Sequence, residues 1–182
     1  MASQRRDRRV ALSRRAWLLA AVAACGSGQV ARAQSTPVAD APLLRVELPG
    51  GATKAFSVAD LERLPVETVD ARLRDGPPFK VSGVSATTLL KLAGLDLSAN
   101  LGGATVVGQA LVARAADGYV AVFGLAEVDP HFGHPPLIVA WRNADGSPLR
   151  AGVGPVQLIS SGESRPSRWV RRLEALTVRD LR

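Results

Sequence analysis

The chain predicts an α+β domain that is predominantly β, a mixed-sheet or barrel-like arrangement with two or three short helices. Three observations point there. Short apolar-alternating runs, separated by Gly, Pro and Asp-Gly turn signals, recur from residue 43 to residue 178. Two segments carry the capping signals of short helices. The composition, 47% apolar with 17 Gly and 12 Pro in 182 residues, supplies one core and many turns.

Taken in order, Leu44–Leu48 alternates as a strand, Pro49-Gly50-Gly51 reverses the chain, and Thr53–Phe56 returns. Ser57, with Asp60 three residues later, starts a short helix that Pro65 ends. Val66–Leu73 reads as a strand and Arg74–Pro78 as a loop. Ser85 caps a second helix, Val84 and Leu89 stand at the ends of a hydrophobic staple, and Gly94 closes it. Leu89, Leu90, Leu92 and Ala93 give that helix an apolar face. Ala110–Arg114 and Tyr119–Phe123 flank Asp117-Gly118, a hairpin signal because Gly tolerates positive φ. A helical turn over Leu125–Val128 follows, then a strand at Leu137–Trp141 and a turn at Asp145-Gly146. Strands at Val156–Ser160 and Leu173–Val178 complete the series.

The formal charge of +7 is unevenly spread. Residues 1–33 hold seven Arg and one Asp, whereas the following 149 residues hold sixteen Lys or Arg against fifteen Asp or Glu. The body of the chain is therefore near neutral and exerts no general pull on phosphate backbones, which argues against nucleic acid as a partner. Residues 1–33 have the three parts of an export signal: a basic region over Arg5–Arg15, an apolar stretch over Ala16–Ala24, and Ala31-Arg32-Ala33 before Gln34. Ser13-Arg14-Arg15-Ala16-Trp17-Leu18-Leu19 resembles a twin-arginine motif. The apolar stretch is far shorter than the ~20 residues of a membrane-spanning helix. These features predict a twin-arginine-like signal peptide (1–33), a flexible linker (34–42), a domain (43–182) and a periplasmic destination. Val22-Ala23-Ala24-Cys25 also resembles a lipobox, so a lipid anchor at Cys25 stands beside cleavage after Ala33, the favoured site. Cys25 is the sole cysteine, and cleavage after Ala33 leaves a mature domain without a disulfide.

Candidate chemistry is sparse. His131 and His134 are spaced as a ligand pair that Glu127 or Asp129 could complete, but Pro130, Pro135 and Pro136 put them on an irregular loop, and they read as surface histidines. Ser160–Ser164 lacks the second Gly of a nucleophile elbow. Gly152-Val153-Gly154 could offer backbone N–H groups to an anion. The densest polar cluster is Arg165, Arg168, Arg171 and Arg172 around Trp169 and Pro166. Planar guanidinium forks suit sulfate, phosphate or pterin-phosphate oxygens, and a solvated basic turn balanced by Glu163 and Glu174 is the alternative. No catalytic residue and no metal ligand is assigned.

Four ordered stretches make Lys80–Arg182 resemble the molybdopterin-binding domain of the sulfite-oxidase superfamily, in a small stand-alone exported form. They are Val81-Ser82-Gly83-Val84 leading to Leu89-Leu90; Asp117-Gly118-Tyr119 followed by Glu127; Asp145-Gly146-Ser147-Pro148-Leu149; and Gly154–Ile159 followed by Arg168-Trp169-Val170. The resemblance implies a sheet-dominated α+β domain with Tyr119, Gly154, Arg168 and Trp169 near a cofactor-binding region. It also implies that Arg168 and Trp169 lie near the Gly152–Pro155 turn and the Tyr119 hairpin. Arg168 would then pair with an internal carboxylate such as Glu127 or Glu163, or with an external anion. The chain departs from the family where molybdenum is bound: Val66–Phe79 holds no cysteine, and Ala151-Gly152-Val153 replaces a family His. Neither Ser nor Asp is equivalent to a soft thiolate ligand. The expected function is a non-catalytic or accessory periplasmic protein that binds a small anion, a pterin-like ligand or a redox partner. An active molybdopterin-dependent oxidoreductase with atypical ligation is the alternative.

Overall fold

The computed structural model describes residues 41–74, 76–97, 103–163 and 165–182. The signal region, Cys25 and residues 34–40 of the linker lie outside the described residues. Among the described residues, nine strands form two sheets. The strands are β1 (Leu44–Glu47), β2 (Thr53–Phe56), β3 (Glu67–Arg72), β4 (Pro78–Ser85), β5 (Gln109–Ala115), β6 (Val120–Gly124), β7 (Leu137–Asn143), β8 (Gln157–Ser160) and β9 (Leu173–Asp180). Four short α-helices join them: α1 (Val58–Glu62), α2 (Ala86–Ala93), α3 (Gly103–Val107) and α4 (Leu125–Val128). The five-stranded sheet runs β2-β1-β9-β5-β6, with β1 and β9 parallel and the other neighbours antiparallel. The four-stranded sheet, β3-β4-β7-β8, is antiparallel throughout.

Local chemistry accounts for these elements. Ser57 and Asp60 make the reciprocal capping box of α1, with Asp60 N donating to Ser57 Oγ at 3.1 Å and Ser57 N to Asp60 Oδ2 at 2.9 Å. Ser85 caps α2 by accepting from Thr88 N, and Gly94 closes it at φ 113°. Asp117-Gly118 turns the β5–β6 hairpin, with Gly118 at φ 86° and Asp117 Oδ1 accepting from Tyr119 N at 3.1 Å.

Two expectations need correction. Four α-helices, not two or three, occur among the described residues. The addition is α3, whose Gly-Ala-Thr-Val-Val sequence carries two β-branched valines and no polar cap that would signal a helix. Strand β4 begins inside the segment read as a loop: Pro78 pairs with Arg72 at the strand's first position, where the missing N–H costs least.

The main core draws on both sheets and on α2. It includes Leu111, Phe123 and Leu176 from the larger sheet, Val84, Val139 and Leu158 from the smaller, and Leu89 and Leu90 from α2. A second cluster lies on the smaller sheet's other face, where Val81, Ile138, Ala140 and Ile159 meet Trp169. Because β7 feeds Val139 to one cluster and Ile138 and Ala140 to the other, both its faces are covered. That is why Leu137–Trp141 reads as an unbroken apolar run instead of an alternating one.

Candidate functional site

The second cluster does not close over itself. It opens into a cavity of about 570 Å³ walled by Phe79, Val81, Leu149, Val153 and Trp169. Phe79 and Trp169 meet edge to face, centroids 6.3 Å apart and planes at 79°, a favoured aromatic geometry. Trp169 is fixed by its indole N–H, which donates to the Ser160 carbonyl at 2.9 Å. Gln157 also lines the cavity. It starts β8 opposite Ala140 and shares the face of Ile159, so a polar side chain stands where the strand pattern calls for an apolar one.

Gln157 is 6% exposed, yet its side-chain amide makes no hydrogen bond with any described residue. Arg150 and Arg171 stand exposed at the mouth, and neither guanidinium has a hydrogen bond or ion pair among the described residues. Lys80, also at the mouth, pairs with Asp70 at 3.0 Å. Asp145 on the rim accepts from the Ser147 hydroxyl at 2.6 Å and its amide at 2.9 Å, which hold the carboxyl below its ordinary range. The cavity is thus apolar and aromatic inside, with one unanswered amide and a basic mouth.

The residues singled out by sequence lie around this region but have different roles. Arg168 is held internally. Its Nε donates to Glu163 Oε1 at 2.8 Å, both terminal nitrogens reach Glu127 Oε2 at 3.0 Å, and the guanidinium lies 4.5 Å from the Phe123 ring centroid. Burial opposes ionisation of both Glu127 and Arg168. For Glu127 the Gly124 amide and Arg168 outweigh that effect and hold the carboxyl low, while Glu163 and Glu127 hold Arg168 high. Tyr119, about half exposed, donates its hydroxyl to the Ser167 carbonyl, tying the hairpin to the Pro166–Arg168 turn. Arg172 ties the same two segments, donating to Asp117 at 2.8 Å, and its amide donates to the Val153 carbonyl at 2.9 Å. The closing block, the hairpin and the turn before Pro155 are therefore joined, as the resemblance implied.

Gly154 lines a separate shallow hollow of about 370 Å³, beyond the Pro148–Arg150 segment that borders both spaces. His131 Nδ1 donates to Asp129 Oδ1 at 2.8 Å, and the same oxygen accepts from the His131 amide and so caps a short turn. Among the described residues, no group of three or more His, Cys, Asp or Glu is placed to hold a metal. Sequence reasoning passed over Gln157 and Phe79 as site residues. The signal for Gln157 was present, an amide breaking the apolar face of a buried strand; Phe79 had none, because its neighbour Trp169 is ninety residues away.

The donor set around the cavity does not fit molybdenum held by a thiolate. No lining residue is a cysteine, and the one carboxylate on the rim is held by Ser147. Among solved structures, the chain is similar to the sulfane dehydrogenase SoxCD from Paracoccus pantotrophus, with a TM-score of 0.59 and 20% identity, covering 80% of this chain and 39% of that one. The chain thus spans about two-fifths of that protein's length. At this identity the likeness is one of fold, and the fold is the sulfite-oxidase-like α+β arrangement that the motifs implied. No family model and no curated protein matches the chain.

Proposed function

We propose that this chain is an exported periplasmic protein that uses the fold of a molybdopterin oxidoreductase without its molybdenum, as a non-catalytic or accessory binding domain. The observation that carries this reading is the cavity's donor set: aromatic and aliphatic walls, an amide and guanidinium groups, with no soft anionic ligand. Arg168 supports it, because a guanidinium already forked between Glu127 and Glu163 serves the architecture of the closing block. Guanidinium groups bind anions and offer no lone pair to a metal, and an amide oxygen is a hard ligand that does not replace a soft thiolate. Among the described residues no helix is long and apolar enough to cross a membrane.

Metal analysis tests the reading directly. The protein is to be exported by a host that makes molybdenum cofactor, purified in mature form and assayed for molybdenum. The expected content is negligible. Stoichiometric molybdenum would overturn the proposal in favour of an active enzyme with atypical ligation.

A further inference from the structure

We infer that the hollow beyond the Pro148–Arg150 segment, floored by Trp141, binds a carboxylate carried on a small apolar body. The hollow is distinct from the Gln157–Trp169 cavity, so the inference goes beyond the metal-free reading and does not rest on it.

Trp141 carries the argument. It lines the hollow and is 7% exposed, and its indole N–H is buried without a hydrogen-bond partner among the described residues. A buried indole N–H ordinarily finds an acceptor, and one left alone is costly. Trp169 gives the contrast, since its indole donates to the Ser160 carbonyl at 2.9 Å. The register slip beside Ser82 leaves Trp141 without a cross-strand partner on β4, and a bulge of this kind re-aims a side chain. The Arg142 guanidinium lies 5.5 Å from the Trp141 ring centroid, and a cation over an indole draws electron density from the ring and strengthens its N–H as a donor.

The rest of the lining supplies donors and no side-chain acceptor. Arg150 is exposed there, and its guanidinium has no hydrogen bond or ion pair among the described residues. Gly152, at φ 83°, turns the wall beside it. The backbone amides of Gly152 and Gly154 donate to no acceptor among the described residues. No lining residue is acidic, so nothing in the hollow answers these donors or repels an anion. Val58, Leu149 and Pro155 make the remaining walls apolar. One guanidinium fork among such walls suits a single charge on an apolar body, because a strongly hydrated dianion would lose more water than these groups replace. The volume of about 370 Å³ stands at the small end of ligand pockets. One carboxylate oxygen answers the Trp141 N–H, the other answers Arg150, and the apolar body rests on the aliphatic wall.

Such a carboxylate has two sources, a free short-chain acid and the C-terminus of a peptide ending in an apolar residue. Isovalerate represents the first, N-acetyl-alanyl-leucine the second, and isovaleramide is the uncharged control. The exported, purified protein, labelled with nitrogen-15, is titrated with each while its indole N–H resonances are followed; Trp141→Phe assigns the resonance of Trp141. That resonance should move downfield and saturate in the millimolar range or below, whereas the Trp169 resonance, already bonded to Ser160, should stay in place. The tighter of the two carboxylates names the source. Isovaleramide should bind at least about tenfold more weakly than isovalerate, and Arg150→Ala should weaken isovalerate by a similar factor. Trp141→Phe, which keeps most of the ring without the N–H, should do the same by calorimetry. A thermal melt checks that this variant folds, and the exposed Arg150 keeps the test informative if it does not. A Trp141 resonance unmoved by either carboxylate at about 10 mM, equal affinity for acid and amide, or unaltered affinity in Arg150→Ala would overturn the inference. Molybdenum content bears on the metal-free reading alone, so the two proposals fail separately.

Discussion

The guanidinium of Arg168 lies 4.5 Å from the ring centroid of Phe123, between the carboxylates of Glu127 and Glu163. This one side chain joins β6, α4 and the segment after β8, three parts of the chain that no backbone ladder brings together at that point. Its donors are spent on Glu163, Glu127 and, at 3.4 Å, the Val122 carbonyl. The arrangement predicts a stability role. Because Arg168 is about 37% exposed, solvent screening keeps its contribution below that of a fully buried pair. Arg168→Ala should cost about 2 kcal/mol, measured by urea unfolding at neutral pH. Arg168→Lys should recover only part, since an ammonium cannot fork two carboxylates and cover Phe123 together. A loss within error for Arg168→Ala would mean that the cluster contributes nothing net.

The same cluster sets an acid-side dependence. The Glu127 carboxyl lies below its ordinary value of 4.5, because the Gly124 amide and Arg168 outweigh the opposing effect of burial. A carboxyl lowered in the folded state contributes stability that is complete above its unfolded value and fades as pH falls through the folded one. Wild-type protein should therefore lose stability below about pH 4.5. Glu127→Gln should lose less over the same interval, starting from a lower plateau. Urea midpoints of the two proteins from neutrality to about pH 3 make the comparison. Parallel curves would remove Glu127 from the acid response.

Most of the fold could be read from local chemistry. Ser57 and Asp60, Ser85 and Gly94, and Asp117-Gly118 each announce an element boundary through a hydrogen bond or a positive φ that the residue type itself requires. Helix α3 could not be read that way, since its valines favour strand and only its surroundings make it helical. The clasp around Arg168 was legible as a pair of alternatives, an internal or an external anion. Choosing needed the approach of residues 127, 163 and 168, and that distance depends on how the β5–β6 hairpin meets the closing block. The cavity was least legible, because Phe79 and Trp169 come from strands and turns far apart in sequence, and unpaired cations show only once every carboxylate has a place.

Export can be tested apart from structure. Arg14→Lys with Arg15→Lys keeps the charge of the leader but removes the guanidinium pair that a twin-arginine receptor would read. Export of the double variant should fall to background, and the intact mass of exported wild type should correspond to a chain starting at Gln34. Full-rate export of the variant would point to the general secretion route. A diacylated chain starting at Cys25 would place the cleavage at the lipobox.

The sharpest test of the sheet concerns Gly83. At Ser82/Gly83 the β4–β7 register slips, so that Ser82 faces Arg142 and Gly83 faces Ala140, leaving Trp141 as the extra residue of a bulge. The two strands approach so closely there that a Cβ on Gly83 would stand 2.6 Å from Ile138 Cγ2 and 2.7 Å from Ala140 Cα, and would overlap the Val139 carbonyl oxygen. Backbone cannot swing aside as a long side chain can, and both faces of β7 are packed, so the strain has nowhere to relax. Gly83→Ala should thus cost about 3 kcal/mol or more, at the upper end of overpacking. Gly118→Ala provides the contrast. Gly118 sits at φ 86° with nothing within 4 Å of the added Cβ, so its cost is the left-handed backbone alone, about 1–2 kcal/mol. Urea unfolding of both variants should rank Gly83→Ala as clearly the more damaging, with loss of soluble protein its extreme form. The reverse order would mean that β4 and β7 do not approach at Gly83, and the bulge that sets the register of the smaller sheet would fall with it.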